Sequence, residues 1–176
     1  MVSAWLIGRT DTWWKGSDTT PFEILTLKYI QKESRMNIGE GTMVKLTPEM
    51  KEAFTKMKVF PVATTSKEGT PNVIPLGIAW LMSDDTVWFV DNFMNKTLSN
   101  LRVNPKIAFF IWGPEIKGCY QVKGVAAMKT SGKEYDEMKA KINEKNPALP
   151  ARSLVIVKIT EVFECKPGPT AGAKIL

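Results

Sequence analysis

The chain has 176 residues, 44% of them apolar and 24% charged. That suits one globular domain able to bury roughly two thirds of the surface its unfolded chain would expose, and it is neither a disordered nor a membrane composition. The absence of histidine excludes Ser-His-Asp and Cys-His catalysis, His-ligated zinc and His-ligated haem together, while the net charge of +6 favours anions.

Residues 1–42 hold five basic and five acidic side chains, so the positive excess lies entirely after them. The character of the chain changes near Asn37-Ile38-Gly39-Glu40-Gly41-Thr42-Met43, where an unpatterned segment, with Trp5, Trp13 and Trp14, gives way to strong helix and strand signals. We expect an N-terminal extension over 1–42 and one domain over 43–176. Gly-Glu-Gly just before a methionine is how a purine-rich ribosome-binding site reads when translated, which makes Met43 the expected natural start. The first residues lack a basic segment and their apolar run stops at Arg9. The longest apolar stretches, 107–112 and 73–82, fall far short of the roughly 20 residues of a membrane helix. A cytoplasmic protein without a membrane span is expected.

Thr47-Pro48-Glu49 opens a first helix, with Thr as cap, Pro at the first helical position and an acid facing the positive end. It should end near Lys58. Residues 59–66 read as a strand, Lys67-Glu68-Gly69-Thr70-Pro71 as a turn with Gly where positive φ is needed, and 72–83 as one returning partner strand. Asp84-Asp85 turns the chain into a third strand, 86–91, with a Val-Trp-Phe-Val core. A short helix over 95–103 follows, then strands over 106–112 and 119–129. Residues 131–146 form a charged helix with Tyr135, Met138 and Ile142 along one face. Residues 153–165 alternate as the last strand, and 166–176 are an irregular tail, by default a disordered end. Hairpin connections dominate. The fold class is mainly β (α+β), an antiparallel barrel of about six strands with two or three flanking helices. Trp80, Trp88 and Trp112 are expected in the core. Cys119 and Cys165 stand far apart in the sequence and in no CxxC pair, and read as buried strand residues without a zinc, dithiol or other reactive role. The lysines are spread singly among glutamates, so no nucleic-acid partner is expected.

The best candidate site is Asp91-Asn92-Phe93-Met94-Asn95-Lys96-Thr97, where a strand hands over to a helix. Such a junction offers unpaired N–H groups and the positive end of a helix dipole to an anion. Lys96 adds a charge and Thr97 a hydroxyl donor, which together suit a phosphate; Asn95 as a plain helix cap with Lys96 and Thr97 exposed accounts for the same letters.

The order VATTSKEGTPNVIPLGIAW, VWFVDNFMNKTLSNLRVNPKIAFFIW, QVKGVAAM and EYDEM resembles the pyridoxamine 5′-phosphate oxidase-related FMN-binding split barrels, and within them the small bacterial FMN-binding proteins. The resemblance covers about residues 55–163. It implies a split β-barrel binding FMN as a homodimer, with the flavin at the subunit interface. It places Pro75, Leu76 and Gly77 on the strand passing the flavin and puts the phosphate-binding Lys-Thr pair on Lys96-Thr97. Val90, Asp91, Asn92, Met94 and Asn95 line the same groove. Gln121 and Lys123 could offer donors to the ring, though both residue types on a strand are commonly surface. Pro75-Leu76-Gly77 departs from the polar or aromatic residues of small relatives, so backbone contacts survive there more readily than side-chain ones. The tail could cross to the partner's flavin. No catalytic residue and no metal site is assigned.

Flavin chemistry fits a chain without histidine, because the cofactor carries its own redox capacity. The implied function is an FMN-dependent oxidoreductase moving electrons from a donor such as NAD(P)H to an unidentified small acceptor. The alternatives are a non-enzymatic electron-transfer flavoprotein and a barrel holding the deazaflavin F420. Pyridoxamine phosphate oxidation is disfavoured: that enzyme's pattern has C-terminal arginine and histidine residues, and Arg152 alone does not replace them.

Overall fold

The computed structural model describes residues 43–176; the expected extension, with its three tryptophans, lies outside the described residues. Ten elements follow in order: α1 (Pro48–Lys56), β1 (Phe60–Thr65), β2 (Pro71–Leu76), β3 (Ala79–Ser83), β4 (Thr86–Asp91), α2 (Lys96–Val103), β5 (Lys106–Ile111), β6 (Tyr120–Lys129), α3 (Lys133–Lys145) and β7 (Ser153–Glu164). Thr47 caps α1 as expected, its hydroxyl accepting the Met50 N–H. Gly69 takes φ +85° in the β1–β2 turn, a conformation a side chain would strain.

All strands belong to one antiparallel sheet in the order β2-β1-β5-β6-β7-β4-β3. The two edge strands are consecutive in the chain, joined by Gly77-Ile78, so the sheet curls round to bring its two edges to that link. The result is the split barrel. The single strand expected over 72–83 is therefore two: β2 pairs with β1 (Pro61↔Pro75) and β3 with β4 (Trp80↔Trp88), which raises the count to seven. Gly77 stands at the break, where a residue of low strand propensity costs least. No helix among the described residues is long and apolar enough to cross a membrane.

Strand β4 is buried along its whole length, which its unbroken apolar run requires. Val87 and Phe89 face the barrel interior, while Trp88 and Val90 face a second cluster with Met138 and Ile142 of α3. Phe54, Phe60, Phe89 and Phe109 form the interior's aromatic centre, Phe89 standing edge-on to Phe109 at 5.4 Å between ring centres. Of the tryptophans expected inside, Trp88 is buried and Trp80 half-buried, but Trp112 is 56% exposed because β5 ends one residue before it. The tail is no loose end in this chain. Gly172 N–H donates to Glu164 O at 2.7 Å and Ile175 N–H to Val162 O at 2.8 Å, laying the tail along the end of β7.

At the β3–β4 turn the Asp85 carboxylate accepts from the Thr86 and Ser83 hydroxyls and from Lys158 Nζ. Those bonds, the Thr86 hydroxyl first, hold its pKa down from the ordinary 3.8 to about 2. A depressed carboxylate contributes its stability above the unfolded pKa and loses it as pH falls through the folded one. With its side chain 25% exposed, solvent screening leaves about 1–2 kcal/mol. Asp85→Asn should lower the urea-unfolding free energy by that amount at pH 7. The gap to wild type should close between about pH 5 and pH 2, and a gap independent of pH would mean the charge is not the cause.

Candidate functional site

Where β2 runs out into β3 it passes the end of β4 and the loop leading into α2. These segments enclose a groove of about 390 Å³, lined by Asn72, Ile74, Pro75, Leu76, Gly77, Ile78, Val90, Asn92, Phe93, Met94, Asn95, Lys96 and Thr97. The structure thus gathers Pro75, Leu76, Gly77, Val90, Asn92, Met94, Asn95, Lys96 and Thr97 around one space. Asp91 and Gln121 are not among the lining. Asp91 is 1% exposed beneath the groove, and Gln121 sits on β6 between Phe110 and Phe163, with Lys123 of the same strand stacked over the Phe163 ring at 4.3 Å. The expectation that Gln121 and Lys123 lie near the site is not met within one chain, because β6 is separated from β2 by β1 and β5.

The anion corner is the start of α2. Ser99 N–H bonds to Asn95 O and begins the helical ladder, so the N–H groups of Lys96, Thr97 and Leu98 have no partner within the helix. Asn95 occupies the cap position but makes no side-chain cap bond, and the first turn has no acid. The plain-cap role open to Asn95 is thus not what its side chain performs here. Lys96 is exposed at the rim, and Thr97 is 1% exposed.

Behind Thr97 lies a small polar network. Asn72 Nδ2 donates to Thr97 Oγ1 at 3.0 Å and to Thr64 Oγ1 at 3.2 Å, and Asn100 Nδ2 donates to Thr64 Oγ1 at 3.0 Å. Because Thr97 Oγ1 accepts from Asn72, its own proton is left to point elsewhere, which makes the hydroxyl a donor. The network also ties α2 to β1 and β2, so the corner is rigid.

Asp91 shapes the loop from below. One carboxylate oxygen accepts the Met94 N–H at 2.7 Å and the other the Ser153 hydroxyl at 2.9 Å. Asn92 Oδ1 accepts the Ala151 N–H at 3.0 Å and Arg152 N–H donates to Asp91 O at 2.8 Å, which pins the α3–β7 loop against the groove. Ala151 there adopts φ +41°, a left-handed conformation held by these bonds and by complete burial. At the mouth, Phe93 is 72% exposed with the Arg152 guanidinium 5.5 Å from its ring centre. A cationic, N–H-rich end and walls of Ile74, Pro75, Leu76, Ile78, Val90 and Met94 suit a ligand with a phosphate at one end and a flat apolar body.

Phe93, part of the candidate junction, lines the space as well, and so do Asn72, Ile74 and Ile78, which were not singled out by sequence. Asn72 carried the clearest signal, since Asn is depleted in strands and one found there invites a specific reason.

The family model for pyridoxamine 5′-phosphate oxidase matches residues 46–166. The chain belongs to the pyridoxamine 5′-phosphate oxidase family. An uncharacterized protein of Methanocaldococcus jannaschii is 37% identical over 141 residues, covering 76% of this chain and 90% of its own length. The crystal structure of HupZ from Group A Streptococcus is 26% identical with TM-score 0.62, covering 72% of this chain and 99% of that one. Two further structures share the fold alone. An FMN-binding protein from Syntrophomonas wolfei is 14% identical with TM-score 0.52, over 81% of this chain and 95% of that one. HutZ, the heme storage protein of Vibrio cholerae, is 19% identical with TM-score 0.54, over 69% and 95%.

Proposed function

We propose that the groove holds FMN and that the protein is an FMN-dependent oxidoreductase carrying electrons from a reduced donor such as NAD(P)H to a small acceptor. One observation carries this reading: an uncapped, acid-free helix start with Lys96 and Thr97 opens into a largely apolar groove. Haem is disfavoured because the chain has no histidine for an axial ligand. FMN, when bound, supplies one- and two-electron redox chemistry that no side chain here offers.

In this reading Lys96 and the Thr97 hydroxyl, with the free N–H groups of the first α2 turn, hold the phosphate. The break at Pro75-Leu76-Gly77 leaves backbone edge for the flat body, and Val90 and Met94 exclude water from its other side. Asp91, Asn92 and Asn95 position the loop. A single chain leaves the groove open past the exposed Phe93, so a second copy would complete it as a homodimer, and any contact from Gln121 would come from that copy. Sedimentation of the FMN-loaded protein as a monomer would remove the dimer from the proposal.

Lys96→Ala should weaken FMN binding by about 1.5–3 kcal/mol, roughly 10- to 150-fold, with little change in unfolding because the side chain is exposed. Quenching of flavin fluorescence in a titration measures this, and an unchanged affinity would place the phosphate elsewhere. Deazaflavin F420 also pairs a phosphate-bearing tail with a flat ring, so it belongs in the same titration; saturation by it and not by FMN would replace the cofactor. Steady-state NAD(P)H consumption by the loaded protein separates an enzyme from a non-enzymatic electron carrier.

A further inference from the structure

The fold brings together two cysteines that lie at the far ends of β6 and β7. Tyr120 pairs with Glu164, and the ladder continues one residue further, Cys165 N–H donating to Cys119 O at 2.7 Å. Residues opposite each other in an antiparallel ladder project to the same face of the sheet. Only one of the two bonds such a pair can exchange is made, so the cysteines stand just past the last rung of the ladder; positions opposite each other there have Cα atoms about 4.5–5.5 Å apart, inside the disulfide range of about 4.4–6.8 Å. Both are free thiols, Cys119 buried and Cys165 half-buried. Neither is held by another strong partner: Cys165 Sγ has only a 3.9 Å approach to Phe163 O, and among the described residues no cluster of His, Cys, Asp or Glu could hold a metal.

We propose that Cys119 and Cys165 are a modification site at which a small-molecule disulfide, of the glutathione type, installs an intramolecular bond that locks the start of β6 to the end of β7. The half-buried Cys165 reacts first. Its thiolate attacks one sulfur of the oxidised glutathione, whose S–S bond breaks, and the departing thiolate takes up the proton Cys165 gave up. The Cys119 thiolate then attacks Cys165 Sγ, releasing the second glutathione as thiol. Two protein thiols are oxidised and one glutathione disulfide is reduced to two thiols, so electrons and protons balance. Burial, with Cys165 and Glu164 close by, pushes the Cys119 thiol up, which keeps Cys119 from reacting first and leaves proximity to Cys165 to drive the second step.

The bond would sit where the C-terminal tail leaves β7. Glu164 N–H donates to Ala173 O and Glu164 O accepts from Gly172 N–H, so the residue before Cys165 already anchors the tail. Oxidation therefore fastens the tail's root to the start of β6. This holds whichever cofactor fills the groove.

The test is incubation of the full chain with oxidised glutathione, read by intact mass and by non-reducing peptide mapping. The expected product has lost two hydrogens, contains a Cys119–Cys165 cross-linked peptide and melts roughly 5–15 °C higher, all reversed by dithiothreitol. Cys119→Ser should accumulate one glutathionyl group on Cys165, because nothing remains to resolve it, whereas Cys165→Ser should stay unmodified while folded. A wild-type chain that keeps both thiols free, that stops at the Cys165 adduct, or that cross-links only between molecules would overturn the proposal.

Discussion

Phe89→Ala will lower the unfolding free energy by about 3–5 kcal/mol. Phe89 is fully buried on β4 and lies edge-on to Phe60 at 5.8 Å and to Phe109 at 5.4 Å between ring centres. Those two rings come from β1 and β5, on the far side of the barrel from β4 in the strand order. Removing the ring therefore opens a cavity where the curled sheet packs on itself across its interior. Collapse into that cavity is blocked, because Phe54 already packs against Phe60 at 4.6 Å and is itself buried. Edge-to-face contacts add about 0.5–1.5 kcal/mol each beyond area. Urea unfolding measures the loss, and Phe110→Ala supplies the contrast. Phe110 points to the opposite face of β5 and is only half-buried, so its removal should cost much less. Equal costs would mean the aromatic centre does not hold the barrel closed.

How far the sequence foretold this molecule depends on how local each feature is. Helix α1 was legible from Thr47-Pro48, β4 from Val87-Trp88-Phe89-Val90, and the inner stripe of α3 from Met138 and Ile142, because each signal lies within a few residues of what it determines. The break of 72–83 into β2 and β3 was not, since the apolar run continues on both sides of Gly77, and the change of partner from β1 to β4 is a non-local event. Trp112 illustrates a different limit. Its residue type predicts burial, but its place one position past β5 decides exposure. The groove was legible in outline because the β4–α2 junction is contiguous in sequence. What could not be read was which letters face the space and which hold it: Asn72 arrives from another hairpin, Gln121 is carried off by two intervening strands, and Asp91 serves from underneath. Cys119 and Cys165 carry the same lesson, since only the β6–β7 register sets them side by side.

That division of labour makes Asp91, beneath the groove, the most informative position to change. Asp91→Ala should cost about 2–4 kcal/mol of stability, because the buried Met94 N–H and the Ser153 hydroxyl each lose their acceptor. In the proposed FMN reading it should also weaken cofactor binding more than tenfold, although Asp91 does not line the groove. The loop from Asn92 to Asn95 takes its course from the Met94 N–H bond, and that course aims the first turn of α2. Asp91→Asn discriminates the causes. Its Oδ1 can still accept from Met94 N–H, while its Nδ2 can donate to a Ser153 hydroxyl rotated to accept, so the shape survives without the charge. The expected order is therefore wild type, then Asp91→Asn within about 1–1.5 kcal/mol, then Asp91→Ala, in both unfolding and FMN titration. If Asp91→Ala lost stability yet bound FMN as tightly as wild type, the loop's course would not govern the phosphate corner. If Asp91→Asn fell as far as Asp91→Ala, the carboxylate's charge rather than its geometry would be what the groove requires.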